Sequence, residues 1–260
     1  MKRSAESGEL HILAELTRSP EYGARVVDLL PAIGDAESTD MVLQLFTQCV
    51  AHLGADAGVF MSYLRDDSTR ASYRSLVACD PVWASEYARR GWFECDPWLR
   101  HATHDGEPIR ASELKLMSGQ EEAFVNSTAT IGFASAVIAP APTCLGLSRV
   151  GVLCIGSSQP GFFEGDGYPK VRVLARALAM ELHRWLLQSI RHELLVRSRL
   201  TAADIDLLRR EEAGHSSKVI GAALNIEAKT VDCRFQRVSA KLEAPNRRMA
   251  VRIARLYGLL

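Results

Sequence analysis

The chain has 260 residues, 47% of them hydrophobic and 24% charged, with 31 Lys and Arg against 31 Asp and Glu. That length fits one large domain or two ordinary ones, and the composition is that of a globular protein. It excludes a membrane-spanning helix, because no run reaches the roughly 20 apolar residues such a helix needs. The start, "MKRSAESGELHILAEL", is basic but has no apolar core, so no secretory signal is read there. Six cysteines, at 49, 79, 95, 144, 154 and 233, lack CxxC spacing and read as reduced thiols of a cytoplasmic protein. The balanced charge hides an asymmetry. Residues 199–260 carry 12 Lys and Arg against 7 Asp and Glu, which leaves 19 against 24 for the rest. One end is therefore suited to meet a polyanion.

In chain order, residues 1–35 read as an extension with one short helix, "GELHILAELTR". In "ESTDMVLQLFTQCVAHLG", Met41, Leu45, Cys49 and Leu53 form one helical stripe ending at Gly54. "AGVFMSYL" and "SYRSLVAC" read as strands joined by the polar turn "RDDSTR". "PVWASEYARRG" is a helix begun by Pro81 and closed by Gly91. "DPWLRHATHDG" is another, with Asp96 as N-cap and Pro97 at its first position. A helix at "QEEAFVNSTATIG" is followed by apolar strands "FASAVIAPA" and "SRVGVLCIGSS", joined by the loop "PTCLGL". A long amphipathic helix runs from about Pro169 to Arg197, its apolar residues being Val173, Ala177, Met180, Trp185, Leu187, Leu194 and Leu195. Helices alternate with strands that pair as hairpins, which predicts an antiparallel sheet covered on both faces, an α/β/α sandwich.

The stretch from Val82 to Asp105 concentrates aromatic surface: Trp83, Trp92 and Trp98, with Tyr87 and Phe93 between them. Trp83 and Tyr87 lie one helical turn apart, so both rings can face one side. An acid such as Asp96 at an N-cap is ordinarily satisfied by backbone N–H groups. Its aromatic setting adds a second reading. A mostly apolar pocket with a few oriented polar groups is the usual form of a small-molecule site. Indole and phenol donors with a carboxylate acceptor suit a ligand that carries carbonyls and an amide N–H.

From Leu200 the chain reads as helix throughout. Thr201 and Asp204 make a T-x-x-D capping pattern ahead of "AADIDLLRREEA", which stops at Gly214. Ser216 caps "SKVIGAAL", and the turn "NIEA" leads to "KTVDCRFQRVSAKL". Pro245-Asn246 breaks the chain before a fourth helix, "RRMAVRIARLYGLL". Two short helices joined by a tight turn within a basic four-helix unit fit a helix-turn-helix DNA reader. In its third helix Val231, Phe235, Val238 and Leu242 form the buried stripe, and Arg234, Arg237 and Lys241 share another face. Arg suits guanine edges, while Lys and Thr230 suit phosphates. Ser217, Lys218 and Lys229 complete the expected DNA contacts.

Residues 200–260 resemble the LuxR-type helix-turn-helix from end to end. The match is carried by Leu200-Thr201, Leu208, Gly214, the Ile220/Leu224/Ile226 core, "KTV" at 229–231, "AKL" at 240–242, "PNR" at 245–247 and the final "GLL". Upstream, the family pattern W-x3-Y-x8-D-P is matched by Trp83, Tyr87, Asp96 and Pro97 with its spacing intact. The resemblance, spanning roughly residues 37–260, is to LuxR-type quorum-sensing regulators. It implies an N-terminal domain that binds an N-acyl homoserine lactone. Trp83 would donate to the lactone carbonyl, Tyr87 would sit near the acyl carbonyl, and Asp96 would accept from the amide N–H. At four positions frequent in the family this chain differs: Cys79 stands for a tyrosine, Ala111 for a tryptophan, Ala136 for a glycine and Cys154 for a polar strand residue. Trp92 or Trp98 would fill space the second tryptophan leaves. In the DNA-binding part the departures are Asp206, Arg210, Glu211, Glu212, Val219 and Asp232, the last an acid on the recognition helix that would repel phosphate or accept from cytosine.

The domain reading is an extension at 1–35, a ligand-binding domain at 36–190, a linker at 191–199 and a DNA-binding domain at 200–260. The expected fold class is α+β, with an α/β/α sandwich ahead of an all-α four-helix domain. The expected function is a bacterial, cytoplasmic, ligand-responsive regulator, not an enzyme, with neither cofactor nor metal. It would bind an inverted-repeat operator in double-stranded DNA as a homodimer, with RNA polymerase as a further partner and no membrane. The long helix is expected to form part of the dimer seam. The alternative is a ligand-independent or inhibitory regulator whose pocket is self-filled or takes a non-lactone signal. Other chemistries are weaker. His101 and His104 with Asp105 lack a further metal ligand, Cys154 has no His/Asp partner set, no phosphate-binding glycine loop is present, and Cys233 would be redox-sensitive only if exposed.

Overall fold

The computed structural model describes residues 12–65, 71–143 and 149–260. The chain divides into two compact units, residues 1–185 and 186–260. The expected turn at 65–70 and loop at 142–147 lie mostly outside the described residues, as does Cys144.

The first unit begins with a helical segment at 12–18, followed by α1 (Ala24–Gly34) and α2 (Thr39–His52). The sequence reading has one helix before residue 36, so α1 is a finding. It escaped notice because Pro31 sits inside it, and proline ordinarily ends a helix. The N-terminal segment is nonetheless built into the unit. Leu13, Val26 and Ile33 are fully buried. The indole of Trp185 donates to Ala36 O at 2.8 Å.

The sheet is antiparallel, in the order β2-β1-β5-β4-β3. Its strands are β1 (Ala57–Arg65), β2 (Ala71–Ala78), β3 (Ile109–Arg110), β4 (Ser135–Pro142) and β5 (Arg149–Ser157). The two foreseen hairpins are joined at the centre by β1 and β5, with Met61 opposite Val152 and Val59 opposite Cys154. β3 is too short to carry a period-2 signal. It pairs only with Val137 and Ile138, so Pro140 and Pro142 fall on an edge stretch of β4, where proline is tolerated.

Alternation along the strands separates two faces. Gly58, Phe60 and Gly151 face α2 and the long helix α6 (Tyr168–Ser198): a Cβ on Gly58 would lie 2.6 Å from Val50, and Phe60 stacks edge-on with His183. Ala57, Val59, Met61, Ala136, Ile138, Val152 and Cys154 join a buried cluster with Trp83, Tyr87, Trp92, Trp98, Phe124 and Phe133. These aromatics come from α3 (Val82–Arg90), α4 (Pro97–His104), α5 (Gly119–Ala129) and the short turns around them. The unit is the expected α/β/α sandwich, and its second face holds all the aromatic surface of the 82–105 stretch that drew notice.

Helix α6 crosses the division between the units and is helical through Ser198, including the stretch expected as a linker. Its apolar residues divide between core and surface. Leu178, Leu182 and Trp185 are buried, whereas Val173 and Met180 are exposed at 63% and 40%.

The second unit holds α7 (Ala202–Glu212), α8 (Ser217–Leu224), α9 (Ala228–Lys241) and α10 (Arg247–Leu256). Thr201 and Asp204 make the reciprocal cap: Thr201 Oγ1 accepts from Asp204 N, and Thr201 N donates to Asp204 Oδ2. Asn225, in the left-handed region at φ 53°, closes α8 and turns the chain into α9. That turn is tight: a Cβ on Gly221 would meet Ile226 O at 2.6 Å. Leu207, Leu208, Ile220, Val231, Phe235, Val238, Leu242, Ala250 and Ala254 form one core, with Leu194 from the end of α6. Among the described residues no helix is long and apolar enough to cross a membrane.

Candidate functional site

The first site is built around Asp96. Gly91, at φ 62°, ends α3 in the left-handed conformation and turns the chain toward α4. Asp96 then caps α4, its Oδ1 accepting from Trp98 N at 2.8 Å and Leu99 N at 3.1 Å. The other oxygen, Oδ2, accepts from the Tyr87 hydroxyl at 2.9 Å. Asp96 is 4% exposed, so this carboxylate is held by three donors within an apolar shell. Burial dominates its protonation and pushes the carboxyl up to about 6, against the hydrogen bonds that favour the anion. The same burial, reinforced by the nearby carboxylate, raises the Tyr87 phenol and the Cys154 thiol well above their ordinary values.

The rings around this carboxylate are in mutual contact. Trp83 stacks on Tyr87 with centroids 4.7 Å apart. Phe124 receives Trp92 at 5.1 Å and Trp98 at 4.9 Å, both edge-on. Tyr87 also meets Tyr73, Trp92 and Phe124 edge-on. Two polar atoms in this cluster have no partner: the indole nitrogens of Trp83 and Trp98, both buried. A buried N–H without an acceptor is unusual enough to require an explanation. A cleft of about 640 Å³ opens beside Asp96, lined among others by Tyr63, Phe93, Leu99, Ala102 and Val150.

All eight residues singled out for this site converge. Trp83, Tyr87, Trp98, Ala136 and Cys154 are buried in one cluster, Asp96 is bonded to it, and Cys79 and Ala111 pack against it. Sequence reasoning passed over Phe124, Phe133 and Tyr73, because contact across α5 and the sheet has no short-range signature. Period-2 alternation from Val59 and Met61 points to Tyr63, on the cleft wall.

A second group, Arg100 and Glu121, ties α4 to α5. Arg100 Nε lies 2.7 Å from Glu121 Oε1, and Glu121 Oε2 also accepts from Met117 N. The histidines of α4 are engaged locally: His101 Nε2 lies 2.7 Å from Glu107 O, and His104 Nδ1 lies 2.8 Å from Arg100 O. Among the described residues no three His, Cys, Asp or Glu side chains are grouped to hold a metal.

The second site is the outer face of α9. Val231, Phe235 and Val238 are buried, which leaves Lys229, Thr230, Cys233, Arg234, Gln236 and Arg237 exposed. Among the described residues Lys218, Lys229, Arg234 and Arg237 make no ion pair within the unit. Two expected contacts are placed differently. Lys241 turns back into the fold, its Nζ 2.6 Å from Asp204 Oδ2 and 3.0 Å from Arg199 O. Its position near Arg234 and Arg237 on the helical wheel did not reveal that α7 places a carboxylate beside it. Ser217 Oγ donates to Asp232 Oδ1 and accepts from Arg247 Nη1. Gln236, missed in the sequence reading, is found by completing the wheel opposite the buried stripe.

The same structure accounts for most of the departures noted in this unit. Arg247 lies 3.0 Å from Glu211 and 3.7 Å from Asp232, and its guanidinium sits over the Phe235 ring. Arg255 pairs with Glu212 at 2.6 Å, and Arg210 pairs with Asp206 at 2.8 Å. The acid on α9 is therefore partly neutralised from α10. Val219 is 50% exposed, and nothing in the structure explains its choice.

Residues 38–185 match the autoinducer binding domain family, and residues 198–254 match the luxR family of bacterial regulatory proteins. No curated protein matches the sequence. Among solved structures, SdiA of Escherichia coli is 16% identical, with a TM-score of 0.70 over 90% of this chain and 97% of that one. SdiA in complex with octanoyl-rac-glycerol gives 0.66 at 16% identity, covering 93% and 97%. The N-acylhomoserine lactone dependent LuxR family factor CepR2 from Burkholderia cenocepacia gives 0.56 at 16% identity, covering 65% and 97%.

Proposed function

We propose a signal and a mode of action for this chain, which belongs to the LuxR family of bacterial regulatory proteins and carries an autoinducer-binding domain ahead of its helix-turn-helix. It is a ligand-binding transcription regulator. The signal in this reading is an N-acyl homoserine lactone or a close relative, bound among Trp83, Tyr87, Asp96 and Trp98. The observation that carries it is the pair of buried indole N–H groups without acceptors, set beside a buried carboxylate. Buried donors in a core are ordinarily satisfied, and a ligand with carbonyls would satisfy both. The protein itself supplies all the chemistry of recognition, with no cofactor.

Ligand that binds only the folded state stabilises it by RT ln(1 + [L]/Kd), so the signal raises the population of active protein. The active form in this reading is a homodimer that sets two copies of α9 on an inverted repeat. Lys229, Thr230, Arg234, Arg237 and Lys218 meet DNA, and Lys241 does not. The exposed Val173 and Met180 on α6 support a seam with a second copy. RNA polymerase is the further partner of such a regulator.

A second reading, DNA binding without any signal, draws on the direct ring contacts that fill the cluster. One experiment separates the two. The thermal stability of the purified protein is measured against a panel of acyl homoserine lactones and acyl glycerols, with Asp96→Asn as control. A stabilisation lost in the variant supports the gated receptor. No stabilisation by any compound, with gel shifts on inverted repeats that need none, supports the second reading.

A further inference from the structure

We infer that helix α1 forms half of the seam between two copies of this chain, that α6 forms the other half, and that the two copies of α6 run in the same direction. The inference rests on the reading of the chain as a homodimeric regulator and adds which surfaces meet.

The autoinducer-binding match begins at residue 38, so α1 stands ahead of it. Two glycines seat α1 against α6. A Cβ on Gly23 would lie 2.8 Å from Leu174, and one on Gly34 would run into the Arg184 guanidinium and meet Glu181 at 3.2 Å. The two helices therefore lie side by side and point the same way. Val27 follows Gly23 by one helical turn and shares the face that carries Gly34. It stays 54% exposed, so it borders the groove between α1 and α6. Ala24 and Pro31, one turn to either side of it, are exposed as well. On α6, Val173, Ala177 and Met180 form a stripe at i, i+4 and i+7, with Val173 and Met180 exposed. The two rows make one apolar strip. Exposed apolar residues scattered singly need no partner, whereas a contiguous strip rimmed by charge marks an interaction face.

The rim points to a second copy as the partner. Beyond Val27, the outer flank of α1 carries Asp28 and Asp35, both exposed and without an ion pair among the described residues. The far flank of α6 carries Arg172 and Arg176, also exposed. Arg176 meets Glu107 at 2.5 Å, but that pair is open to water and contributes little. A strip with acid on one side and base on the other is its own complement. Two copies related by a two-fold axis present the same patch to each other. With the axis along the helices, each acidic flank lies over the basic flank of the other copy. With the axis across them, acid faces acid and base faces base, which is repulsive. Charge thus selects the first arrangement. Both chains then leave the seam toward the same end, which suits a dimer that reads one inverted repeat.

The test is analytical ultracentrifugation of the full-length protein, alone, with acyl homoserine lactones and with inverted-repeat DNA. Val27→Arg on α1 and Met180→Arg on α6 are each expected to weaken the dimer about 10-fold or more. Asp28→Arg should weaken it, as should Arg172→Glu combined with Arg176→Glu. All three changes in one chain should restore the native dimer constant to within about 2-fold. A dimer weakened by Met180→Arg but indifferent to Val27→Arg and Asp28→Arg overturns the role of α1 and leaves the homodimer reading standing. So does a dimer that no change in the strip weakens. Charge changes that weaken the dimer without restoring it in combination overturn the shared direction of the two helices. A native protein that stays monomeric under all three conditions overturns both inference and reading. Should an arginine in the strip prevent folding, the exchange between Asp28 and the two arginines decides, since all three are exposed.

Discussion

The Tyr87 hydroxyl donates to Asp96 Oδ2 across 2.9 Å in a setting where both residues are almost wholly buried. The bond joins the helix that supplies Trp83 to the helix that supplies Trp98. It also fixes a carboxylate where one is costly, and that cost is measurable.

Asp96 predicts a pH dependence of folding. Its carboxyl rises from 3.8 to about 6 on folding, chiefly through burial. The native state thus holds this proton over a range in which the unfolded chain has lost it. The contribution of Asp96 to stability is therefore greatest below about pH 4 and is lost as pH rises through 6. The full swing is about 3 kcal/mol. Asn keeps the cap and never ionises. Chemical denaturation of unliganded Asp96→Asn at pH 7.5 should show it more stable than the native protein by about 1–3 kcal/mol. Parallel stability curves for the two proteins from pH 4 to 7.5 would contradict this.

Lys241 and Arg237 should separate stability from DNA contact. Lys241→Met removes the tie to Asp204 and to Arg199 O and is expected to cost about 1 kcal/mol of stability. The salt dependence of DNA binding should stay unchanged. Arg237→Ala should leave the melting temperature alone, weaken operator binding by about 1–3 kcal/mol and lower the salt slope by about one. Gel shifts at several salt concentrations distinguish them.

Arg247 should act on DNA binding through Asp232. Arg247→Met leaves Asp232 and Glu211 without their guanidinium, so the acid on α9 faces phosphate with its charge restored. Affinity should fall for all DNA sequences alike. Adding Asp232→Asn to Arg247→Met should recover much of the loss, because the repelling charge is then gone. A double variant no better than Arg247→Met would show that Asp232 does not reach the phosphates.

The N-terminal segment should be structural. Removal of residues 1–34 exposes the surfaces that Leu13, Val26 and Ile33 cover, each worth about 1.5–3 kcal/mol. The expected outcome is a loss of several kcal/mol. Trp185→Phe, which deletes the bond to Ala36 O and leaves part of the indole's volume unfilled, should cost about 1–3 kcal/mol. An unchanged melting temperature on truncation would return the segment to the status of an extension.

Local chemistry made much of this protein legible from its sequence. Asp96-Pro97 as cap and first residue of α4, Gly91 as the end of α3, the Thr201–Asp204 box and the stripe of Val231, Phe235 and Val238 all depend on neighbours within four or five residues. So do the two hairpins and the helical character from Leu200 onward. What sequence could not decide depends on which distant groups meet. The pairing of β1 with β5, the two-residue strand β3, the burial of α1 despite Pro31 and the closing of Phe124 over Trp92 and Trp98 carry no local period. Charge shows the same divide. From composition alone Lys241 and Arg237 are equivalent cations on one helix. Only the folded unit brings Asp204 to within 2.6 Å of one and leaves the other exposed, because a hydrogen bond is made by proximity in space and not in the chain.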